Sequence, residues 1–432
     1  MAVDAVEALV QGFLKSKWKS DPLPAVLRII EQEPAALRAL VLRILEAIPD
    51  GGTFLDQALN HLPERDFDVV IAAAVARLAE AGKSEAAATV IETAALQMPH
   101  LLRPYLRRLF PLLQGKRAYS ATWPWRGADA AEIAQLGRVI ESDAELATRQ
   151  HAFDCLLQTR QPEALRVAEA RFADVHTATG KGIPDFNAYA HTVGYHIEPG
   201  APDQLVALHA QACWHLRFAP GYFEDRQLPE WRAHHRHATW NLDGAAASHA
   251  LLGGVLEGAG ARCAVCDQPL HRLLAFDHVP AGLPVSLPAL ELCACLSCLG
   301  WEERVLYYQH DAQGRPRPVG YTGERRQPEF VTLGFKQARV DLLETPPRWR
   351  AQDWGQSNGN QNLHRVGGEP CWIQDAEYPA CCDCGKLMPC IAQLDSDLPD
   401  AAGHDWLWGS GGIGYMFWCD ACRISACCLQ HT

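Results

Sequence analysis

A chain of 432 residues, 48% hydrophobic and 21% charged, is too long for a single core and too apolar to be disordered, so two or three folded domains are expected. Its formal net charge of −12 speaks against nucleic acid as a partner, because holding a phosphate backbone takes a concentrated Lys/Arg face and the arginines here are scattered. The opening run MAVDAVEALVQGFLKSK has no basic start, long apolar core or small-residue cleavage site, and no apolar run of about 18 residues occurs anywhere. Neither secretion nor a membrane partner is therefore expected, and the expected location is the cytoplasm.

From the N-terminus to about residue 180 the apolar residues recur with helical spacing. In Glu33 to Ile48 the positions Leu37, Leu40, Val41, Ile44, Leu45 and Ile48 follow the i, i+3, i+4, i+7 pattern. Pro34 is tolerated in the first turn, and Pro49-Asp50-Gly51-Gly52 ends the run. Further helices are predicted over Asp68–Ala81, Ser84–Gln97, Leu101–Gln114 and Ala128–Glu141. Leu146–Val175 reads as a helix hairpin broken at Gln161-Pro162. Short helices with short breaks suggest a stacked HEAT-like array, with an irregular bundle as the alternative. Near Gly180 the texture changes: Gly, Pro, His and aromatic residues become frequent. Ala188–Ile197 and Leu205–Phe218 read as short strands, and beyond residue 250 strands and loops dominate. The tryptophans there (Trp301, Trp349, Trp354, Trp372, Trp406, Trp408 and Trp418) read mostly as core anchors.

Of the 16 cysteines only Cys155 and Cys213 precede residue 260. In a reducing compartment such clustering points to metal rather than disulfides. Two C-x-x-C pairs, Cys263/Cys266 and Cys295/Cys298, are followed by two more, Cys381/Cys384 and Cys419/Cys422. The stretch CAVCDQPLHRLLAFD, ending at Asp277, parallels CCDCGKLMPCIAQLD, ending at Asp395, with the same step from one to the other. SHALLGG (Ser248 to Gly254) parallels NLHRVGG (Asn362 to Gly368), and YYQHD (Tyr307 to Asp311) parallels CLQHT (Cys428 to Thr432). Residues of about 245–311 and 360–432 thus read as two copies of one element. Two tight turns, each aiming two thiolates at one ion, complete a tetrahedron, so two structural Zn2+ sites are predicted, with iron–sulfur clusters as the alternative. Gly385 suits the unusual backbone after Cys384, and Asp267 takes its place in the first copy. Spacing alone leaves the choice open between Cys293 and Cys295 and between Cys381 and Cys382. Cys371, Cys390, Cys427 and Cys428 read as buried core thiols. The expected fold class is α+β: a helical array over 1–180, then a mostly β region over 181–432 with two zinc-ribbon-like units.

At these residues the chain resembles the YwqG-like family, a bacterial group. The resemblance is carried by Leu363-His364-Arg365-Val366-Gly367-Gly368, Cys371-Trp372-Ile373-Gln374, Cys384-Gly385-Lys386, Gln393-Leu394-Asp395-Ser396-Asp397 and the closing run from Gly412 to Thr432. It is specific over 360–432, weaker from about 185 to 311, and does not reach the helical region. The first copy lacks the Trp-Ile-Gln segment. The family is similar to eukaryotic programmed cell death protein 2, which carries duplicated tetra-cysteine β elements. The resemblance implies protein binding: immunity to secreted toxins in the bacterial group, chaperoning of a ribosomal protein and ribosomal RNA maturation in the eukaryotic one. It carries over no catalytic residue.

Other patterns tempt. Gly409-Ser410-Gly411-Gly412-Ile413-Gly414 spells G-x-G-x-x-G but precedes a strand, Tyr415 to Trp418, so it reads as a turn rather than a dinucleotide loop. His234-His235-Arg236-His237 has no carboxylate motif beside it and reads as a solvated loop. Asp277 and Asp395 read as turn or cap residues, with a partner's basic group as the alternative. The expected function is a zinc-stabilised protein-binding protein, not an enzyme, that neutralises a cognate toxin domain encoded nearby. Asp395, Asp397, Trp406 and Trp408 are its expected contacts. A dedicated chaperone or ribosome-assembly factor is the second reading, and a hydrolase using the histidine run is the third.

Overall fold

The computed structural model describes residues 2–16, 23–48, 54–116, 118–176, 185–198, 204–223, 237–258, 260–320 and 323–432. Chain contacts divide it into two units, Met1–Val193 with Pro199–Leu205, and Gly194–Glu198 with Val206–Thr432.

The first unit is helical, as the spacing predicts. Leu37–Ala47 buries Leu37, Leu40, Val41, Ile44 and Leu45. Phe67–Ala81 stops at Gly82, whose φ of 65° and N–H bond to Leu78 O form a left-handed cap. Glu85–Gln97 starts at Ser84 and Ala130–Glu141 at Asp129, each side chain accepting N–H groups that the first turn leaves over. The helix predicted over 101–114 is broken: Pro104 turns the chain through Arg103–Tyr105, between Pro99–Leu102 and Leu106–Leu113. The hairpin appears as Leu146–Gln158 and Pro162–Ala170. Helices pack on neighbours one to three places away in sequence, which keeps chain order as spatial order.

One strand expectation fails. Within 188–197, Phe186–Thr192 is a helix, because the Asp185 carboxylate caps the Asn187 N–H. Only Tyr195–Ile197 (β1), after Gly194 at φ 84°, is extended. The predicted segment 205–218 holds β2 (Leu205–Ala207) and β3 (Cys213–Arg217).

The rest of the β region comprises β4 (Ser248–Leu252), β5 (His271–Phe276), β6 (Leu290–Ala294), β7 (Val305–His310), β8 (Pro316–Pro318), β9 (Ala338–Glu344), β10 (Arg365–Gly367), β11 (Cys390–Asp395), β12 (Leu398–Pro399), β13 (Asp405–Trp406), β14 (Ile413–Cys419) and β15 (Ile424–Gln430). Eleven of these form one sheet in the order β6-β5-β4-β9-β3-β10-β11-β14-β15-β7-β8. All its ladders are antiparallel. The sheet curls until its edges meet: Glu291 N–H donates to Gly314 O at 3.0 Å and Cys295 N–H to the Tyr308 hydroxyl at 2.9 Å. The barrel is nearly closed, which covers edges that would otherwise invite pairing.

The duplicated sequence is a duplicated structure. β4-β5-β6 carry the first copy and β10-β11-β14 the second, on either side of the central pair β9 and β3. Leu252 faces Ala338, and its equivalent Val366 faces Trp214, so β9 serves the first copy as β3 serves the second. Arg217 and Asp341 then stand at equivalent places, and they face each other in the ladder as an ion pair with N and O 2.6 Å apart. A pseudo-dyad passes between them. The copies are interlaced: β3 precedes the first copy in sequence but pairs with the second, while β9 lies between the copies and pairs with the first.

Interlacing makes the β unit one cooperative body. Leu342 of β9 is fully buried, opposite Leu216 in one ladder and Ser248 in the other. Leu342→Ala is expected to cost about 2–5 kcal/mol. Hydrogen exchange should rise together in β5 and β14; a rise confined to β4 and β5 would show that the copies fold separately.

Candidate metal centres

Each cysteine set is built from two turns that end a strand or lead into one. Cys263 and Cys266 precede β5, and Cys295 and Cys298 follow β6. Cys381 and Cys384 precede β11, Cys419 is the last residue of β14 and Cys422 follows it. The leading turns match bond for bond. Cys263 N–H donates to Gln268 O and Asp267 N–H to Cys263 O; Cys381 N–H donates to Lys386 O and Gly385 N–H to Cys381 O. The bridge Arg262↔Pro269 matches Ala380↔Leu387. A bulge follows at the same place in each, between Arg272 and Leu274 and between Cys390 and Ala392. Both turns need a left-handed residue directly after the second cysteine: Gly385 has φ 73° and Asp267 φ 60°. Asp267 is held there by Arg262 and Arg325 at 3.3 and 3.2 Å.

The four sulfurs of each set lie within 4.8 Å of one another. Separations of 3.9 Å (Cys263–Cys298), 3.5 Å (Cys266–Cys295) and 3.7 Å (Cys384–Cys419) match the edge of about 3.8 Å of a tetrahedron with metal–sulfur bonds of about 2.3 Å. The sulfurs share protons: the Cys295 and Cys298 thiols beside Cys263 hold its pKa down, and the Cys298 thiol beside Cys263 and Cys295 is pushed up. A metal ion at the centre would let all four ionise. Either set can thus hold one metal ion, and with four thiolates bound no position stays open.

The ligand choice is resolved. Cys295 and Cys381 belong to the sets, Cys293 is buried outside them, and Cys382 is exposed beside the second. The first set is buried throughout, whereas Cys384 is exposed and Cys422 half-buried. Cys371, Cys390, Cys427 and Cys428 are buried thiols, and burial pushes Cys371 up to about 11 and Cys390 up to about 12.

Two proposed partner contacts are withdrawn by burial. Asp395 is enclosed: its carboxylate accepts N–H groups from Asn358 at 3.0 Å and Ser396 at 2.8 Å, and burial raises its pKa well above the usual carboxylate range. It is a turn acceptor, while Asp277 is exposed. Trp408 is buried against Gly414 and packs edge-on against Phe335 and Trp406. Trp406 and Asp397 are half-buried, Asp397 in a left-handed turn at φ 71°. His234 and His235 lie outside the described residues. His237 is not solvated but fully buried, its Nδ1 accepting the Thr239 N–H at 3.2 Å. Gly409 to Gly412 form the turn before β14, with Gly409 and Gly411 at positive φ, and Ile413 and Gly414 open the strand.

Arg365 carries no sign of its role in the sequence beyond its place in the Leu363–Gly368 run. Fully buried, Arg365 donates to the carbonyls of Arg350 and Glu369 and to Cys371 Sγ at 3.0 Å. Beside it His215 bridges Thr345 and Gln352, and burial, then the Arg365 charge, lowers its pKa to about 3. Burial alone lowers His271 to about 4.

No family model matches the chain, and no solved structure matches it. Over 186 residues it is 25% identical to the uncharacterized protein YpfL of Salmonella typhimurium (strain LT2), covering 40% of this chain. The match spans 40% of that relative's length. A likeness of this extent assigns neither family nor activity.

Two outcomes are expected. Purified protein should carry two metal ions per chain by elemental analysis, and Cys384→Ser only one. A chelator should strip the exposed Cys381 set before the buried Cys263 set; simultaneous loss would contradict the difference in burial. The second concerns pH. With a folded pKa below the unfolded value of about 6.5, His271 supports stability above that value and loses the support as pH falls toward 4. Its Nδ1 has no hydrogen-bond partner, so His271→Leu should shrink the stability lost between pH 7 and 5 by up to about 2 kcal/mol in urea titrations. An unchanged difference would exclude that role.

Proposed function

We propose that the chain is a zinc-stabilised protein-binding protein of the YwqG-like kind, which neutralises a toxin domain encoded nearby. Four cysteines per set, at separations suited to bonds of about 2.3 Å, favour zinc at both centres. A closed four-thiolate site supplies folding free energy, about 10–16 kcal/mol in small zinc domains, and offers no water or substrate position. The centres hold surfaces in place and leave chemistry to none of their ligands.

The observation that carries the binding reading is an apolar patch on the first centre. Trp301, three residues beyond Cys298, is 57% exposed, and its ring lies 5.3 Å from that of Phe330, which is 48% exposed. Val331 and Leu333 continue the patch at 68% and 55%. The Thr332 N–H donates to Ser297 Oγ and the Arg326 N–H to Val265 O, which bind this segment to the two turns of the centre. Large side chains held rigidly in water, with Trp foremost, are what a partner's pocket uses as anchors. The half-buried Trp406 and Asp397 remain candidate contacts at lower exposure.

The test is co-expression with the neighbouring gene. Growth arrest relieved by this chain, with a complex that co-purifies, is the expected result. Trp301→Ala with Phe330→Ala should weaken binding at least about 100-fold while leaving metal content unchanged, since such anchors are each worth about 2 kcal/mol or more. A harmless neighbour, with a ribosomal protein co-purifying instead, would replace the toxin reading by the chaperone one.

A further inference from the structure

We infer that the outer face of β4, β5 and β6 is a docking cleft for an extended peptide segment bearing carboxylates, an inference that rests on the protein-binding reading. The pseudo-symmetry carries it. In the second copy Arg365 faces Gln393, and Gln393 faces Tyr415, across β10, β11 and β14. That face is covered by the chain itself. Residues 369–374 cross the strands without joining the sheet: the Cys371 N–H donates to Gln393 Oε1 and Cys371 O accepts from the Tyr415 hydroxyl. Ile373 and Gln374 N–H groups donate to Gln430 Oε1, and the Trp372 ring lies 4.5 Å from that of Tyr415. Tyr415 and Phe417 are buried beneath this segment, while Met416 and Trp418 are buried on the opposite face.

The first copy has the same ladder with other residues. Leu251 replaces Arg365, Ala275 replaces Gln393 and Glu291 replaces Tyr415. Among the described residues no segment lies over them, and a cleft of about 410 Å³ remains. Its floor is Leu251 and Ala275. At one end stands Arg339, facing Leu251 in the ladder; at the other stands Arg315, beyond Glu291. Arg272 is engaged by Glu291 at 2.7 Å, while the guanidinium groups of Arg315 and Arg339 make no ion pair with a carboxylate among the described residues, Arg315 meeting Asp311 through its backbone N–H alone. From Arg339 to the turn holding Arg315 is four strand steps, roughly 19 Å, the reach of about six extended residues. Six is also the length of the segment 369–374 that covers the other copy. Small apolar side chains fit over Ala275, and a carboxylate at each end meets an arginine.

The probe is a fluorescein-labelled peptide, Gly-Glu-Val-Ala-Val-Ala-Glu-Gly, with a lysine version as control, titrated by anisotropy against the zinc-loaded full chain. The glutamate peptide should bind, and the lysine peptide at least ten-fold more weakly. Arg315→Glu with Arg339→Glu should weaken binding at least ten-fold, and so should Ala275→Phe, which fills the floor without altering charge. No binding to the wild-type chain would overturn the inference. So would equal binding of both peptides or indifference to Ala275→Phe. Trp301→Ala with Phe330→Ala should leave peptide binding unchanged, so failure of the toxin reading and failure of this cleft are separable.

Discussion

The β region depends on a turn that only a metal makes worthwhile. A C-x-x-C turn bends the chain so that two sulfurs and several N–H groups point inward, and its next residue is forced left-handed. Gly385 accepts that at no steric cost, whereas Asp267 accepts it with two arginines holding its carboxylate. Four sulfurs within 4.8 Å of one another repel as thiolates, so a cation at the centre favours the closed turns. Once closed, each centre joins the start of one strand to the end of the antiparallel strand paired with it, β5 to β6 and β11 to β14, next to the bulge that follows the leading turn. Strand register over half the barrel comes from that closure.

Interlacing turns two local closures into one body. Because β3 precedes the first copy but pairs with the second, and pairs also with β9 of the first, neither half has a complete sheet alone. The pair Arg217 and Asp341 on the pseudo-dyad is partly exposed and adds little by itself. The fully buried leucines beside it, Leu216 and Leu342, carry the contact. The copies then diverge on their outer faces: one is sealed by its own chain over Arg365, Gln393 and Tyr415, and the other, among the described residues, is open with two guanidinium groups in no ion pair. Duplication followed by loss of a covering segment is a simple way for a structural fold to acquire a surface for something else.

Much of this was legible in the sequence. The helices between 33 and 175 show because one face of each is apolar, while the caps at Ser84, Asp129 and Gly82 emerge in the structure. The duplication shows because turn chemistry constrains residues at fixed steps. The 188–197 segment misled because a seven-residue helix depends on a single cap, Asp185, more than on periodicity. Asp395 and Trp408 looked like surface residues because polarity and aromaticity are silent on burial; the covering segment that encloses Asp395 comes from distant residues around Asn358. The strand exchange and the buried Arg365 were beyond reach for the same reason. The first is set by pairing between β3 and β9, the second by the carbonyls and thiol of Arg350, Glu369 and Cys371, and no local pattern encodes either.

The central claim is that both centres are closed four-sulfur zinc sites that support a binding surface and do no chemistry. Zinc-edge X-ray absorption on the full chain tests it directly. The account expects four sulfur scatterers per zinc at about 2.3 Å and nothing lighter in the first shell. A nitrogen or oxygen scatterer at about 2.0–2.2 Å would reveal an open or mixed site and contradict it.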